Sequence, residues 1–230
     1  MIKFAKLPIA YHLIATKKEL AQFNLNWFPH LNTMCYEGDW TVLALRSPGG
    51  RIDAVYADSI HEEAFIDTPL MDQFPSIKKM LNELASNTMS VRFLKLGAGS
   101  IIKKHRDNEL AFENGLARVH FPIVTNPFVA FYLEEELIEM QEGEAWYINA
   151  NLPHNVANFG TSERIHLVID LEVNDWVKEL FNRGENKIIE PLIDIEQMHK
   201  IINQLRIQNT KTSLDLANKL SDQLINNQVK

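Results

Sequence analysis

The spacing of apolar residues changes character along the chain. Between Ser90 and Leu171 it has the two-residue period of strands, in the segments 91–96, 100–105, 117–125, 128–133, 144–149, 154–159 and 165–171. Turn-forming pieces separate them: Gly97-Ala98-Gly99, Asn126-Pro127, Glu142-Gly143 and Phe159-Gly160. Many short strands with regular turns and no long helix between them predict a sandwich or double-sheet jelly roll.

The flanks read differently. Residues 1–89 mix short strands with helices. Thr16, followed three positions later by Glu19, looks like the capping box of a helix start. Trp40-Thr41-Val42-Leu43-Ala44-Leu45-Arg46 is rich in strand formers and stops at Ser47-Pro48-Gly49-Gly50. Over 72–85 the apolar residues Phe74, Ile77, Met80, Leu81 and Leu84 recur at helical spacing. After Asp175 the chain turns helical, at 176–182 and then in amphipathic stretches near 195–207 and 213–225. The expected organisation is a catalytic domain over 1–175, with an α/β N-terminal part, and a helical extension over 176–230. That extension packs on the domain or pairs with a second subunit as a homodimer; the pattern alone does not choose.

Composition narrows the partners. The 230 residues are 46% hydrophobic and 23% charged, ordinary for a folded domain, and the formal net charge is -7. With no basic stripe interleaved with aromatics, a nucleic-acid partner is not expected. Cys35 is the single cysteine, so no intramolecular disulfide forms. The N-terminal apolar patch is interrupted by His12, and no run approaches membrane-spanning length. A cytoplasmic protein without membrane contact is the expectation.

The chemistry concentrates at His105-Arg106-Asp107, His154 and Arg164. Two imidazoles and one carboxylate hold iron(II) on one face and leave positions open for a chelating acid and dioxygen. Residues two apart on a strand leave the same face, so His105 and Asp107 can reach one metal. Alone, a His-x-Asp pair is more often an ordinary surface pair. Here His154 arrives after another turn, and Arg164 opens a strand whose alternation puts Arg164, His166 and Val168 on one face. A charged residue on an inner face needs a partner, and a bound dicarboxylate would be one. Structural zinc would require four ligands, usually including cysteines, which Cys35 cannot supply. Catalytic zinc on the same three ligands stays open, and the arginine favours iron with a carboxylate co-substrate.

These phrases carry a resemblance. Ile101-Ile102-Lys103-Lys104-His105-Arg106-Asp107, Arg118-Val119-His120, Gly143-Glu144-Ala145-Trp146-Tyr147-Ile148-Asn149-Ala150, Leu152-Pro153-His154 and Arg164-Ile165-His166-Leu167-Val168-Ile169-Asp170 stand in the order found in the aspartyl/asparaginyl β-hydroxylase family. The chain resembles that family, and within it the small bacterial branch. The resemblance implies a mainly β, double-stranded β-helix (jelly-roll, cupin-like) fold with flanking helices. It implies Fe(II) on His105, Asp107 and His154, with Arg164 clamping the distal carboxylate of 2-oxoglutarate and O2 as the other co-substrate. It also implies that Arg118 and His120 serve at the co-substrate or substrate carboxylate.

Arg118 and His120 share a strand face by their spacing, and the bland alternative is an inner-face pair satisfied by a core acid. Arg92, on the strand before the ligand strand, is a candidate for the substrate carboxylate or else a surface arginine, and Arg46 is a weaker one. Trp146 and Tyr147 read as packing, and His166, on the Arg164 face, reads as a core histidine in preference to a group that orients a carboxylate or a water. His12, His30, His61 and His199 have no metal-like spacing. The expected activity is hydroxylation of an aliphatic carbon of an amino acid, free and proline-like or an Asp/Asn residue in a peptide. The alternative is a cupin-type metal protein that binds or converts a small carboxylate without oxidising it. The loops 47–53 and 108–116 are expected to shape specificity.

Overall fold

Strand pairing in the computed structural model, which describes residues 1–23, 25–54, 63–108, 110–188 and 195–228, builds two antiparallel sheets. His61, and Glu109 of the loop 108–116, lie outside the described residues. The strands are β1 (Ile2–Leu7), β2 (Phe28–Pro29), β3 (Tyr36–Glu37), β4 (Trp40–Pro48), β5 (Phe65–Asp67), β6 (Thr88–Leu96), β7 (Ile101–His105), β8 (Leu116–Val124), β9 (Val129–Leu133), β10 (Glu136–Leu137), β11 (Ala145–Ile148), β12 (His154–Asn158), β13 (Arg164–Glu172) and β14 (Glu185–Ile188). The helices are α1 (Leu13–Gln22), α2 (Pro75–Glu83), α3 (Asp175–Asn182), α4 (Ile195–Gln208) and α5 (Lys211–Gln228). The larger sheet runs β14-β1-β11-β8-β13-β6-β4-β2, with β5 beside β4; the smaller runs β10-β9-β12-β7-β3.

Parity organises the larger sheet. In β4, β6, β8 and β13 odd-numbered residues such as Leu43, Phe93, Val119 and Leu167 enter one core with Ile77 and Met80 of α2 and Leu180 and Phe181 of α3. The even-numbered residues Arg92, Arg118, His120, Arg164 and Asp170 line a cavity on the other side. Register keeps like with like: Asp170 stands opposite Arg118 and Val168 opposite both His120 and Arg92. The helix-covered face is thus apolar, and the opposite face is free to carry charge. A second cluster, with Trp40, Leu96, Ile102, Phe131 and Ile148, joins the even face to the smaller sheet.

The helix start at Thr16 is placed differently by the structure. The helix begins at Leu13, and Thr16 sits inside it, its hydroxyl donating to the His12 carbonyl. Glu19 is buried and caps another helix: its carboxylate accepts from the Ser76 backbone N–H at 3.0 Å and the Ser76 hydroxyl at 2.6 Å. Ser76 lies in the first turn of α2, where backbone donors lack helical partners. Helical spacing over 72–85 resolves into a 3-10 turn, Pro69–Gln73, followed by α2.

The chain divides into two compact units, Met1–Ile189 and Glu190–Lys230. The division falls later than Asp175 because α3 buries Val177, Leu180 and Phe181 and β14 pairs with β1. β14 is exposed at all its positions, so no hydrophobic pattern marks it. The second unit is a helical hairpin around Ile202 and Ala217. Asn209, with φ of 50°, ends α4, and Thr210 and Ser213 exchange backbone-to-hydroxyl hydrogen bonds of 3.0 and 3.1 Å at the start of α5.

Candidate metal centre

β7 and β12 are neighbours in the smaller sheet, with His105 opposite His154. Their ring centroids are 4.3 Å apart. Each imidazole faces a carbonyl two residues back: His105 Nδ1 lies 2.8 Å from Lys103 O, and His154 Nδ1 lies 3.0 Å from Leu152 O. A carbonyl only accepts, so Nδ1 carries the proton in each ring and Nε2 is left for a metal. Burial pushes His154 down to about 4, with His105 adding to the effect, which favours the neutral, ligating form.

Asp107 lies just past the strand rather than on it, since β7 ends at His105. Its position is fixed instead by its backbone N–H, which donates to Ala150 O at 2.9 Å, and by Arg118, whose Nη1 donates to Oδ2. Oδ1 is 3.8 Å from His105 Nε2. One ligand atom from each of His105, Asp107 and His154 lies within 4.8 Å of the others. Two imidazole nitrogens and one carboxylate on one side of a cavity form the donor set that suits non-haem iron(II) with open positions. Burial works against the Asp107 charge, but Arg118, His154, His105 and Arg92 together outweigh it and the carboxyl stays below its usual range.

The cavity beside these groups measures about 450 Å³ and is lined from both sheets. Arg118, expected at a co-substrate or substrate carboxylate, meets two carboxylates of the protein itself. Its Nε and Nη2 donate to Asp170 Oδ1 and Oδ2 at 2.7 and 3.0 Å, and Nη1 reaches Asp107. Burial opposes its charge, but Asp170 and Asp107 hold it above the ordinary guanidinium range. Arg92 is no surface arginine: it is buried, Nη2 stands 3.8 Å from Asp170 Oδ2, and Nε lacks a partner among the described residues. Arg46 is spoken for outside the cavity, with Nε 2.7 Å from Asp67 Oδ1.

Arg164 is 2% exposed. Nη2 donates to His166 Nδ1 at 2.9 Å, and Nε is unpartnered among the described residues. Burial pushes its guanidinium down to about 9, with no carboxylate among the described residues acting on it. A buried, uncompensated guanidinium lining the cavity that holds the ligand set fits an anionic guest. Because guanidinium only donates, His166 must accept at Nδ1 and is a neutral ring that orients Arg164. His120 is buried, its Nδ1 is unpartnered among the described residues, and its ring centroid lies 5.8 Å from that of His166. Burial, followed by Arg164, holds both histidines well below their usual value.

Three further residues enter the site. Asp170 was in reach of sequence reasoning: the alternation that groups Arg164, His166 and Val168 places Asp170 on the same face. His30 gives no such signal. It follows the two-residue strand β2 and stacks on Trp40, with centroids 3.6 Å apart and planes at 11°. Both His30 and Trp40 line the cavity. Burial, with Arg92 next, pushes His30 down to about 4.

Residues 12–173 match the aspartyl/asparaginyl beta-hydroxylase family, and the chain belongs to it. It is 26% identical over 153 residues to L-proline cis-4-hydroxylase of Rhizobium meliloti (strain 1021), a match covering 66% of this chain and 54% of that protein. The chain thus spans about half the length of that curated relative. Among solved structures it is similar to a 2OG-Fe(II) oxygenase family oxidoreductase from Burkholderia pseudomallei, with a TM-score of 0.48 and 12% identity over 76% of this chain and 82% of that one. It is also similar to a Pseudomonas putida prolyl-4-hydroxylase, with a TM-score of 0.44 and 10% identity over 76% of this chain and 94% of that one. Among the described residues no helix is long and apolar enough to cross a membrane.

Proposed function

We propose that this protein is an iron(II)- and 2-oxoglutarate-dependent dioxygenase that hydroxylates an aliphatic carbon of an amino acid, either free and proline-like or an aspartyl or asparaginyl residue in a peptide. The observation that carries the reading is the pairing of two features in one cavity. His105, Asp107 and His154 converge from the smaller sheet, and Arg164, buried without an anionic partner among the described residues, lines the same cavity from the larger one. We infer that the two sheets are the walls of a double-stranded β-helix and that the unit Met1–Ile189 is the catalytic one.

Iron(II) would be held by His105 Nε2, Asp107 and His154 Nε2, and would couple oxidative decarboxylation of 2-oxoglutarate to insertion of one oxygen atom of O2 into a C–H bond. The protein's residues do the rest. Arg164, steered by His166, takes the distal carboxylate of 2-oxoglutarate. Arg118 holds Asp107 in its ligating orientation, and Asp170 neutralises Arg118. Arg92 stands ready for a substrate carboxylate. The apolar wall of Ile102, Phe131, Ile148 and Val156 limits water around the reacting centre.

The test is succinate formation from 2-oxoglutarate under air with added iron(II). Oxygen-dependent succinate in the wild type, absent from Asp107→Ala, is the expected result. Metal binding without succinate formation would return the protein to a cupin-type role that leaves small carboxylates unoxidised.

A further inference from the structure

The described lining of the cavity offers two carboxylates, Asp107 and Asp170, and Arg118 engages both. Against them stand three buried guanidiniums, Arg92, Arg118 and Arg164. Arg106 adds a further positive charge from an exposed position, its Nη1 donating to Asn151 O at 3.3 Å. Iron(II) and 2-oxoglutarate bring equal and opposite charges, so loading the site leaves this balance unchanged. Among the described residues, one buried positive charge then lacks a counter-ion. With Arg164 assigned to the co-substrate, the surplus rests on Arg92, which among the described residues has only a share of Asp170 at 3.8 Å and an unpartnered Nε. Burial, with Arg118 next, already pushes Arg92 down to about 10, the mark of a cation short of anions.

A second polar group faces the same space. The Asn32 backbone N–H donates to His30 Nδ1 at 3.4 Å, so the proton of this cavity-lining ring sits on Nε2 as a donor. The stack on Trp40 fixes the plane of the ring.

We infer that the substrate pocket built on Arg92 and His30 selects a carboxylate whose α-nitrogen is acylated, an N-acyl amino acid or the C-terminal residue of a peptide, over a free zwitterionic amino acid. The inference rests on the dioxygenase reading above. Such a substrate is a net monoanion and supplies the missing charge. Its carboxylate meets Arg92, and its acyl carbonyl accepts from His30 Nε2–H. A zwitterion supplies no net charge, and its ammonium finds no unengaged carboxylate among the described lining residues. A cavity of about 450 Å³ has room for two small acids side by side.

Calorimetric titration of the zinc(II)- and 2-oxoglutarate-loaded protein reads this preference without turnover. The ligands are N-acetyl-L-proline, N-acetyl-L-leucine, short peptides ending in proline or leucine, and the free amino acids. Each acylated acid is expected to bind at least tenfold tighter than its free counterpart, and the stronger of the acetylated and peptide series identifies the source. Arg92→Gln should lose that advantage and Arg92→Lys should keep most of it, which separates loss of charge from misfolding. His30→Phe, which retains a ring against Trp40 but no donor, should weaken acylated ligands severalfold. Tighter binding of the free amino acids, binding of none of these ligands, or an unchanged preference in Arg92→Gln would overturn the proposal. The dioxygenase reading stands or falls separately, on succinate formation with 2-oxoglutarate and iron(II).

Discussion

Arg118 grips Asp170 with Nε and Nη2 and Asp107 with Nη1, so one guanidinium ties a candidate ligand to the strand opposite. The ion pair is buried on the Asp170 side and carries hydrogen bonds on each carboxylate oxygen. Arg118→Lys keeps the charge but gives up the fork that holds two carboxylates at once. Its metal affinity is expected to fall about 10–100-fold, the usual cost of losing a group that orients a ligand. Anaerobic titration with iron(II), or with cobalt(II) followed by absorption, checks this; an unchanged affinity would release Arg118 for a substrate role.

Arg164 offers a cleaner separation of effects. Arg164→Ala removes a charged hydrogen bond of about 1.5–3 kcal/mol, so the KM for 2-oxoglutarate should rise at least tenfold. The KM for the hydroxylated substrate should change little. Thermal shift gives a second readout: 2-oxoglutarate should stabilise the metal-loaded wild type and not the variant.

Glu19 tests the fold away from the cavity. Glu19→Ala strips the first turn of α2 of its cap and leaves the Ser76 hydroxyl and backbone N–H without their acceptor. A loss of about 1–3 kcal/mol is expected in urea unfolding, with kcat unaltered. Stability equal to wild type would mean that water replaces the carboxylate.

His120 and His166 make a prediction about acid. Both are held below their ordinary value by burial and by Arg164. A histidine with a depressed folded value binds its proton in the unfolded chain first. Its contribution to stability is therefore complete above about pH 6.5 and declines as pH falls below that. Each such site can add a slope of up to about 1.4 kcal/mol per pH unit. Urea midpoints of the metal-free protein should drop between pH 7 and pH 5, and His166→Gln should flatten the dependence. An identical slope in that variant would assign the acid sensitivity elsewhere.

How much of this was readable in the sequence depends on how each residue is held. The strands β6 to β9 and β11 to β13 were legible because strand-forming residues run through them between clear turn signals, whereas β10, two residues long, left no such trace. His105, His154 and Arg164 were legible because they sit at the ends of such strands. β14 was not, since an edge strand with both faces exposed leaves no periodic trace. The capping box at Thr16 misled because Glu19 satisfies donors of a helix far along the chain, a tertiary contact that mimics a local motif. His30 was invisible for a related reason. A two-residue strand has no period, and only the pairing of Phe28 with Val42 and Pro29 with Thr41 brings the imidazole onto Trp40. The role of Arg118 turned on Asp170, whose face was predictable but whose partner depended on register.

The odd-even division of the larger sheet has an evolutionary corollary. Residues of the helix-packed core and residues that line the cavity alternate along β8 and β13 and occupy different positions. Point replacements among the even positions can therefore explore new substrates while the helix-packed layer is left alone. A single inserted or deleted residue within β8 or β13 would exchange the two sets, driving arginines into oil and leucines toward the metal. Diversification of this scaffold should consequently proceed by exchange of side chains within these strands, with changes of length confined to the loops between them.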